Sequence, residues 1–159
     1  MVELRVLDVE DWAAWRELRL TALRDAPSAF GAKLADWQGD GDAEQRWRER
    51  LGGGFCNVLA YVDGVAAGMV SGMPTDEDGT VALVAMWVAP FARGHGVGDA
   101  LVRAVLDWAA GREARRVVLR VAEGNDRAAG LYRRHGFTGS ELRQRTNSPV
   151  RDYLLQFDL

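Results

Sequence analysis

The chain of 159 residues predicts an α/β fold of the mixed α+β kind, with a central mixed sheet of six to seven strands and helices on both faces. Three observations carry this. Apolar residues alternate in some segments and recur at helical spacing in others. A strand, a helix and a second strand follow one another across residues 80–121, and two parallel neighbours need such a crossover. Two apolar runs flank Asp63-Gly64, the pair favoured in a two-residue antiparallel hairpin.

The elements read in order as follows. "VELRVL" alternates and forms a first strand. In "DVEDWAAWRELRLTALRDAP", Trp12, Trp15, Leu18 and Ala22 fall at helical spacing, and Pro27 stops the pattern. "SAFGAKLADWQGDGD" is irregular, and "DAEQRWRERLGGG" is a short second helix with Asp42 as candidate N-cap. "FCNVLAYV" and "VAAGMVSGM" are the hairpin strands, and "PTDEDG" is a loop. "TVALVAMWVAP" is apolar on both faces, which places it centrally in the sheet. "GVGDALVRAVLDWAAG" is a helix with Leu101, Val105 and Trp108 on one stripe and Gly111 at its end. "RRVVLRV" is a buried strand, and "NDRAAGLYRRHG" is a helix with Asn125 as N-cap candidate. "FTGSEL" and "VRDYLLQFDL" close the sheet.

Neither a repeat nor a long linker divides the chain, so residues 1–159 are expected to form a single domain. Apolar residues make up 48% and charged residues 27%, which excludes a disordered chain. A net charge of −3 argues against a nucleic-acid partner. One cysteine, Cys56, excludes an internal disulfide and a cysteine metal cluster, and two histidines, His95 and His135, cannot form a three-histidine zinc centre; no metal is expected. No apolar run is long enough to span a bilayer. No leader is visible at "MVELRVLDVEDW", so no membrane association and a cytoplasmic location are expected. Exposed edge strands make a homodimer conceivable.

The stretch "APFARGHGVGDALV" holds Gly94, Gly96 and Gly98 between a buried strand and a helix. The first N–H groups of a helix lack partners within it and carry the positive end of its dipole, so they favour a phosphate. Glycine removes the Cβ atoms that would hold such a group away, and Arg93 adds a fork of charged donors. A tight strand-to-helix turn explains the same glycines without any ligand. A P-loop would need Gly-Lys-Ser/Thr, which does not follow. The dinucleotide fingerprint would need Gly-x-Gly-x-x-Gly near the first strand.

"VAPFARGHGVGDAL" resembles the acyl-CoA pyrophosphate loop of the GNAT N-acetyltransferase superfamily through Arg93, Gly96 and Gly98, with Gly94, Val88 and Pro90 also in keeping. "NDRAAGLYRRHGF" resembles a second segment of that family through Asn125, Ala128, Leu131, Tyr132, Gly136 and Phe137. The element order agrees over essentially the whole chain. The resemblance implies that the central strand and "RRVVLRV" splay apart, with acetyl-CoA as cosubstrate in the gap. Main-chain groups at Met86, Trp87 and Val88 would pair with pantetheine, the amides of Gly94, His95, Gly96, Val97 and Gly98 would hold the diphosphate beside Arg93, and Asn125, Ala128 and Tyr132 would line the other side. It also implies transfer of acetyl to a primary amine, on a small molecule, a lysine or a protein N-terminus, by direct attack in a ternary complex. Tyr132 would be the general acid. By periodicity alone, Tyr132 is a packed aromatic and Asn125 a helix cap.

The chain departs from the family at the general base. Where many relatives carry a glutamate, this sequence has Ala85, Met86 and Arg120; Glu123 is a weak candidate and Glu44 another. Asp36, Asp40, Asp42, Glu44, Asp76, Glu77 and Asp78 suggest a cationic acceptor drawn to acidic surface, or are solvated loop charges. Trp37 and Trp47 are candidates for substrate contact. Two other classes remain open: a non-catalytic acyl-CoA-binding module, and a nucleotide-dependent or RNA-directed enzyme.

Overall fold

The computed structural model describes residues 1–159. Its elements run β1 (Val2–Val6), α1 (Trp12–Asp25), α2 (Glu44–Leu51), β2 (Cys56–Val62), β3 (Val65–Pro74), β4 (Thr80–Val88), α3 (Val97–Gly111), β5 (Arg116–Ala122), α4 (Asp126–Arg134), β6 (Thr138–Gln144) and β7 (Arg151–Asp158). The strands form one seven-stranded sheet in the order β1-β2-β3-β4-β5-β7-β6. Only β4 and β5 run parallel, and α3 makes the crossover between them, as the strand-helix-strand reading required. The β2–β3 turn has positive φ at Asp63 (49°) and Gly64 (78°), the signature of the I′ hairpin expected from that pair. No helix is long and apolar enough to cross a membrane.

Each face of the sheet buries its own core. Against one face lie Leu101, Val102 and Val105 of α3 and Tyr132 of α4, over Val58, Ala60, Val70, Val81 and Val117. Against the other lie Trp15, Leu18 and Leu23 of α1 and Trp47 and Leu51 of α2, over Leu59, Met69 and Trp87. Val58 and Ala60 facing one way and Leu59 the other is the period-2 alternation of a strand.

That alternation reverses within β4. Val81 and Leu83 face α3, and so do Met86 and Val88, whereas Trp87 faces α1. The cause is one extra residue: Ser71 pairs with Val84 and Met69 with Trp87, so Val70 stands opposite two residues, Ala85 and Met86. Ala85 adopts φ 58°, an uncommon conformation for a residue with a side chain. Such a bulge flips the side-chain facing beyond it. A β-bulge leaves no trace in an apolar run, so the sequence reads this strand as regular.

The short helix α2 begins differently from its sequence expectation. Ala43 is its N-cap residue and makes no side-chain cap. Asp42 instead accepts hydrogen bonds from Arg16 (Nε 2.7 Å, Nη2 2.5 Å) and from Trp47 Nε1 (2.8 Å). These bonds, Arg16 first, hold its carboxyl down to about 2. Asp42 therefore ties α2 to α1.

Helix α3 approaches β3 at a glycine. A Cβ on Gly72 would lie 2.6 Å from the Trp108 ring and 3.3 Å from Val105, and an indole wedged between helix and sheet has little room to yield. Gly72→Ala is expected to cost about 1–3 kcal/mol through overpacking, lowering Tm by about 3–10 °C for a domain of this size. Thermal melts followed by circular dichroism would measure it.

Candidate active site at the parting of two strands

β4 and β5 pair only at Thr80–Arg116, Val81–Val117 and Ala82–Val118. Beyond these the strands separate, although β4 runs on to Val88 and β5 to Ala122. β5 turns to β7, with which it pairs over its whole length, and β4 remains on β3. The side of β4 from Leu83 to Val88 that faces β5 therefore has no partner strand. Unpaired main-chain groups inside a fold need a partner, and an extended chain can supply one by lying beside the strand. Met86, Trp87 and Val88, the residues to which the resemblance assigns pantetheine, lie in this stretch.

The glycine turn lies at the end of β4. Gly94 and Gly96 have φ of 82° and 80°, with nothing within 4 Å of where a Cβ would stand, so their outer face is open. The amides of Gly94, Gly96, Val97 and Gly98 find no acceptor within the chain. They gather at the N-terminus of α3, where the helix dipole adds positive potential. Arg93 lends Nε to the Val88 carbonyl (3.2 Å) and Nη2 to Asp25 (3.4 Å), which fixes the end of β4 against α1. His95 is exposed. Gly98 serves another purpose than its neighbours. A Cβ there would meet Leu131 at 2.9 Å, so this glycine lets α4 close on α3.

α4 carries the second motif. The Asn125 side chain accepts from the Ala128 amide (3.4 Å), which is its capping role; its own N–H donors are left uncommitted. Tyr132 is 5% exposed and sits edge-on to Phe137 at 5.9 Å. Burial pushes its phenol above the ordinary value of about 10, so it keeps its proton. Asp99, in the first turn of α3, accepts from Arg134 (2.8 Å) and meets His135 Nε2 (2.8 Å). Burial works against the Asp99 carboxylate, but the bonds from Arg134 and His135 hold it below its usual range. Asp99, Arg134 and His135 thereby clasp the two helices.

On the opposite face a cavity of about 1130 Å3 opens at the parting, floored by Ala82–Ala85 of β4 and Val118–Arg120 of β5 and walled by α1, α2, β6 and β7. Arginines dominate its charge: Arg19, Arg50, Arg120, Arg143 and Arg145, against Glu77, Glu141 and Asp152. Arg145 grips Asp152 (2.7 and 3.2 Å) and reaches the carbonyls of Ser28 (3.1 Å) and Phe30 (3.0 Å), fastening the β6–β7 loop to the chain after α1. Of the two readings of the acidic loop residues, their positions favour solvated loop charges. Asp36, Asp40, Asp42, Glu44, Asp76 and Asp78 do not line the cavity, and Glu77 alone of that group does.

Other candidate residues lie away from the cavity. Trp47 is fully buried and stacks with Trp37 at 4.4 Å; both belong to the packing of α2, away from the cavity. Glu123 accepts from Arg151 (Nη2 2.7 Å, Nε 3.1 Å) and Glu44 from Arg48 (2.8 Å), and neither reaches the cavity. Arg19 and Arg50 were missed by the sequence reading. A signal existed: Arg19 falls four residues after Trp15 and Arg50 three after Trp47, on the buried stripes of their helices.

The family model described as the acetyltransferase (GNAT) family matches residues 12–137. The chain belongs to the GNAT acetyltransferase family. A GNAT-family acetyltransferase from Streptococcus pneumoniae superposes with a TM-score of 0.77 at 22% identity, covering 100% of this chain and 99% of that one. An acetyltransferase from Salmonella typhimurium, solved with acetyl-CoA, gives 0.78 at 23% identity, covering 100% and 94%. At these identities the likeness shows the fold. Human N-acetylaspartate synthetase is 37% identical over 84 residues, which is 53% of this chain and 28% of the human protein.

The clasp between α3 and α4 has a measurable pH signature. A carboxyl depressed in the folded state adds stability above its unfolded value of about 3.9, and the gain disappears as pH falls through the folded value. Asp99→Asn is expected to lower Tm by about 2–4 °C at pH 7, corresponding to about 1 kcal/mol for a partly exposed pair. The gap to the parent protein should narrow as pH falls below the unfolded carboxyl value of about 3.9 and on through the lower folded one, as read by melts over the acid range.

Proposed function

We propose that this GNAT-family chain moves the acetyl group of acetyl-CoA to the nitrogen of a primary amine by direct attack within a ternary complex. The observation that carries the reading is the parting of β4 and β5 next to a helix N-terminus whose glycine amides are unpaired. A diphosphate on the amides of Gly94, Gly96, Val97 and Gly98 (the His95 amide is given to Ala92) and a pantetheine arm along Met86–Val88 would bring a thioester to the parting, where the cavity begins. Asn125, the N-cap of α4, and Ala128 would border the same slot. The name of the human relative, N-acetylaspartate synthetase, denotes a product acetylated on nitrogen, in keeping with an amine acceptor.

The chemistry follows from the groups present. The neutral amine attacks the thioester carbonyl carbon, the C–N bond forms, and the oxygen gathers charge. Main-chain N–H groups near Val88 are suited to holding that oxygen. The C–S bond then breaks and the thiolate takes a proton. Tyr132, kept protonated by its burial, is the donor. β4 and β5 carry no carboxylate, Glu123 is bound to Arg151, and in the cavity Glu141 and Asp152 are paired with Arg143 and Arg145, which leaves water or Glu77 to take the amine proton. Most of the rate then comes from alignment of the two reactants.

A thiol-release assay over a panel of amines, run beside calorimetry with acetyl-CoA, tests the reading; binding without turnover on any amine would make the chain a binding module. Tyr132→Phe is expected to lower kcat about 100-fold with the KM for acetyl-CoA nearly unchanged. Because burial raises the phenol, activity should climb with pH as the acceptor amine loses its proton and should show no decline below about pH 10. Gly96→Val places a branched side chain at positive φ on the open face of the loop; it is expected to weaken acetyl-CoA at least about 10-fold by calorimetry, with strain of about 1–2 kcal/mol in the melt.

A further inference from the structure

The two buried arginines of the cavity have no counter-ion. Arg19 is 8% exposed, its Nη1 is sealed from solvent, and that nitrogen donates to nothing. Its guanidinium lies over the Phe30 ring at 4.5 Å. Arg50 donates to Asn57 Oδ1 (2.9 Å) and Ser71 Oγ (3.0 Å), both neutral, and lies near the rings of Trp15 (5.1 Å) and Phe55 (5.0 Å). Burial draws each down to about 10, and each therefore remains charged at neutral pH; Arg50 also repels Arg19. A buried charge without a partner is costly, and here two of like sign face one cavity. Arg143 and Arg145 of the same cavity have Glu141 and Asp152. Arg19 and Arg50 do not.

We propose that the acceptor amine carries a carboxylate, which is seated by Arg19 and Arg50. The proposal rests on the acetyl-transfer reading for the amine and on the cavity alone for the anion. A guanidinium fork matches a planar carboxylate, and α1 and α2, which carry the two arginines, face the same cavity that the parting strands floor. A carboxylate held there leaves the amine end of a small molecule free to point toward the parting. The acceptor class is thus the amino acids and their N-unsubstituted relatives.

The test uses the whole chain with acetyl-CoA, offered the twenty common amino acids, the amines that decarboxylation of each would leave, and phosphoethanolamine. At least one amino acid should exceed its decarboxylated partner in kcat/KM by about 100-fold. Arg19→Gln should raise the KM for that amino acid at least 10-fold while leaving the KM for acetyl-CoA within about 2-fold, and Arg19→Lys should recover part of the loss. Removing an unpaired buried charge offsets the lost contact with Phe30, so Arg19→Gln should melt within about 3 °C of the parent in the absence of ligands; a larger fall would mark a mainly structural role. Equal turnover of the decarboxylated amines, an unchanged KM in Arg19→Gln, or preference for phosphoethanolamine over every amino acid would overturn the proposal. If no amine releases thiol, the acetyl-transfer reading fails, and melts of the acetyl-CoA-saturated protein decide the anion seat separately. Amino acids that raise the Tm of the parent but not of Arg19→Gln sustain it, and the absence of any such shift overturns it.

Discussion

The molecule depends on an interruption in its own hydrogen bonding. A parallel pair at the middle of a sheet would ordinarily zip along its full length. Here it holds for three register pairs and then opens. The opening is fixed from both sides: β5 is committed to β7 through its whole length, and β4 is held on β3 through a bulge at Ala85 and Met86. The strain of a positive φ at Ala85 is carried by that pairing and by Trp87, whose indole donates to Asp25 (3.0 Å). The gap therefore follows from the pairing on either side of it.

The sheet also separates two kinds of chemistry. On the α3 and α4 face stand backbone donors at a helix N-terminus and a phenol that keeps its proton. On the α1 and α2 face stands a cavity whose charge is mainly guanidinium. The gap is the passage between them. Net charge gives no hint of this division, because a chain of −3 can gather its cations in one pocket and spread its carboxylates over loops. Local charge at the site, not the sum, bears on what enters.

The fold was legible because it is written in periods and punctuation: alternating runs, helical stripes, Asp63-Gly64 and the glycines of the turn. The loop and the Asn125–Phe137 segment were legible because their residues lie close together in sequence. Three features were not. The bulge at Ala85 leaves an apolar run looking regular. Gly98 looks like its neighbours, yet its packing against Leu131 joins elements more than thirty positions apart. Arg19 and Arg50 converge on one cavity only after α1 and α2 have docked, and acidic loops, which are easy to see in a sequence, pointed toward the opposite charge.

The close approach of Gly98 to Leu131 has a mechanical meaning. Leu131 immediately precedes Tyr132, and Asp99, the residue after Gly98, grips His135, the C-cap of α4 three positions beyond the tyrosine. The first turn of α3 and the middle of α4 are thus bolted at two points that straddle the phenol. The phenol is therefore braced on both sides by contacts between the two helices, and the joint at Gly98 and Asp99 sets where it stands.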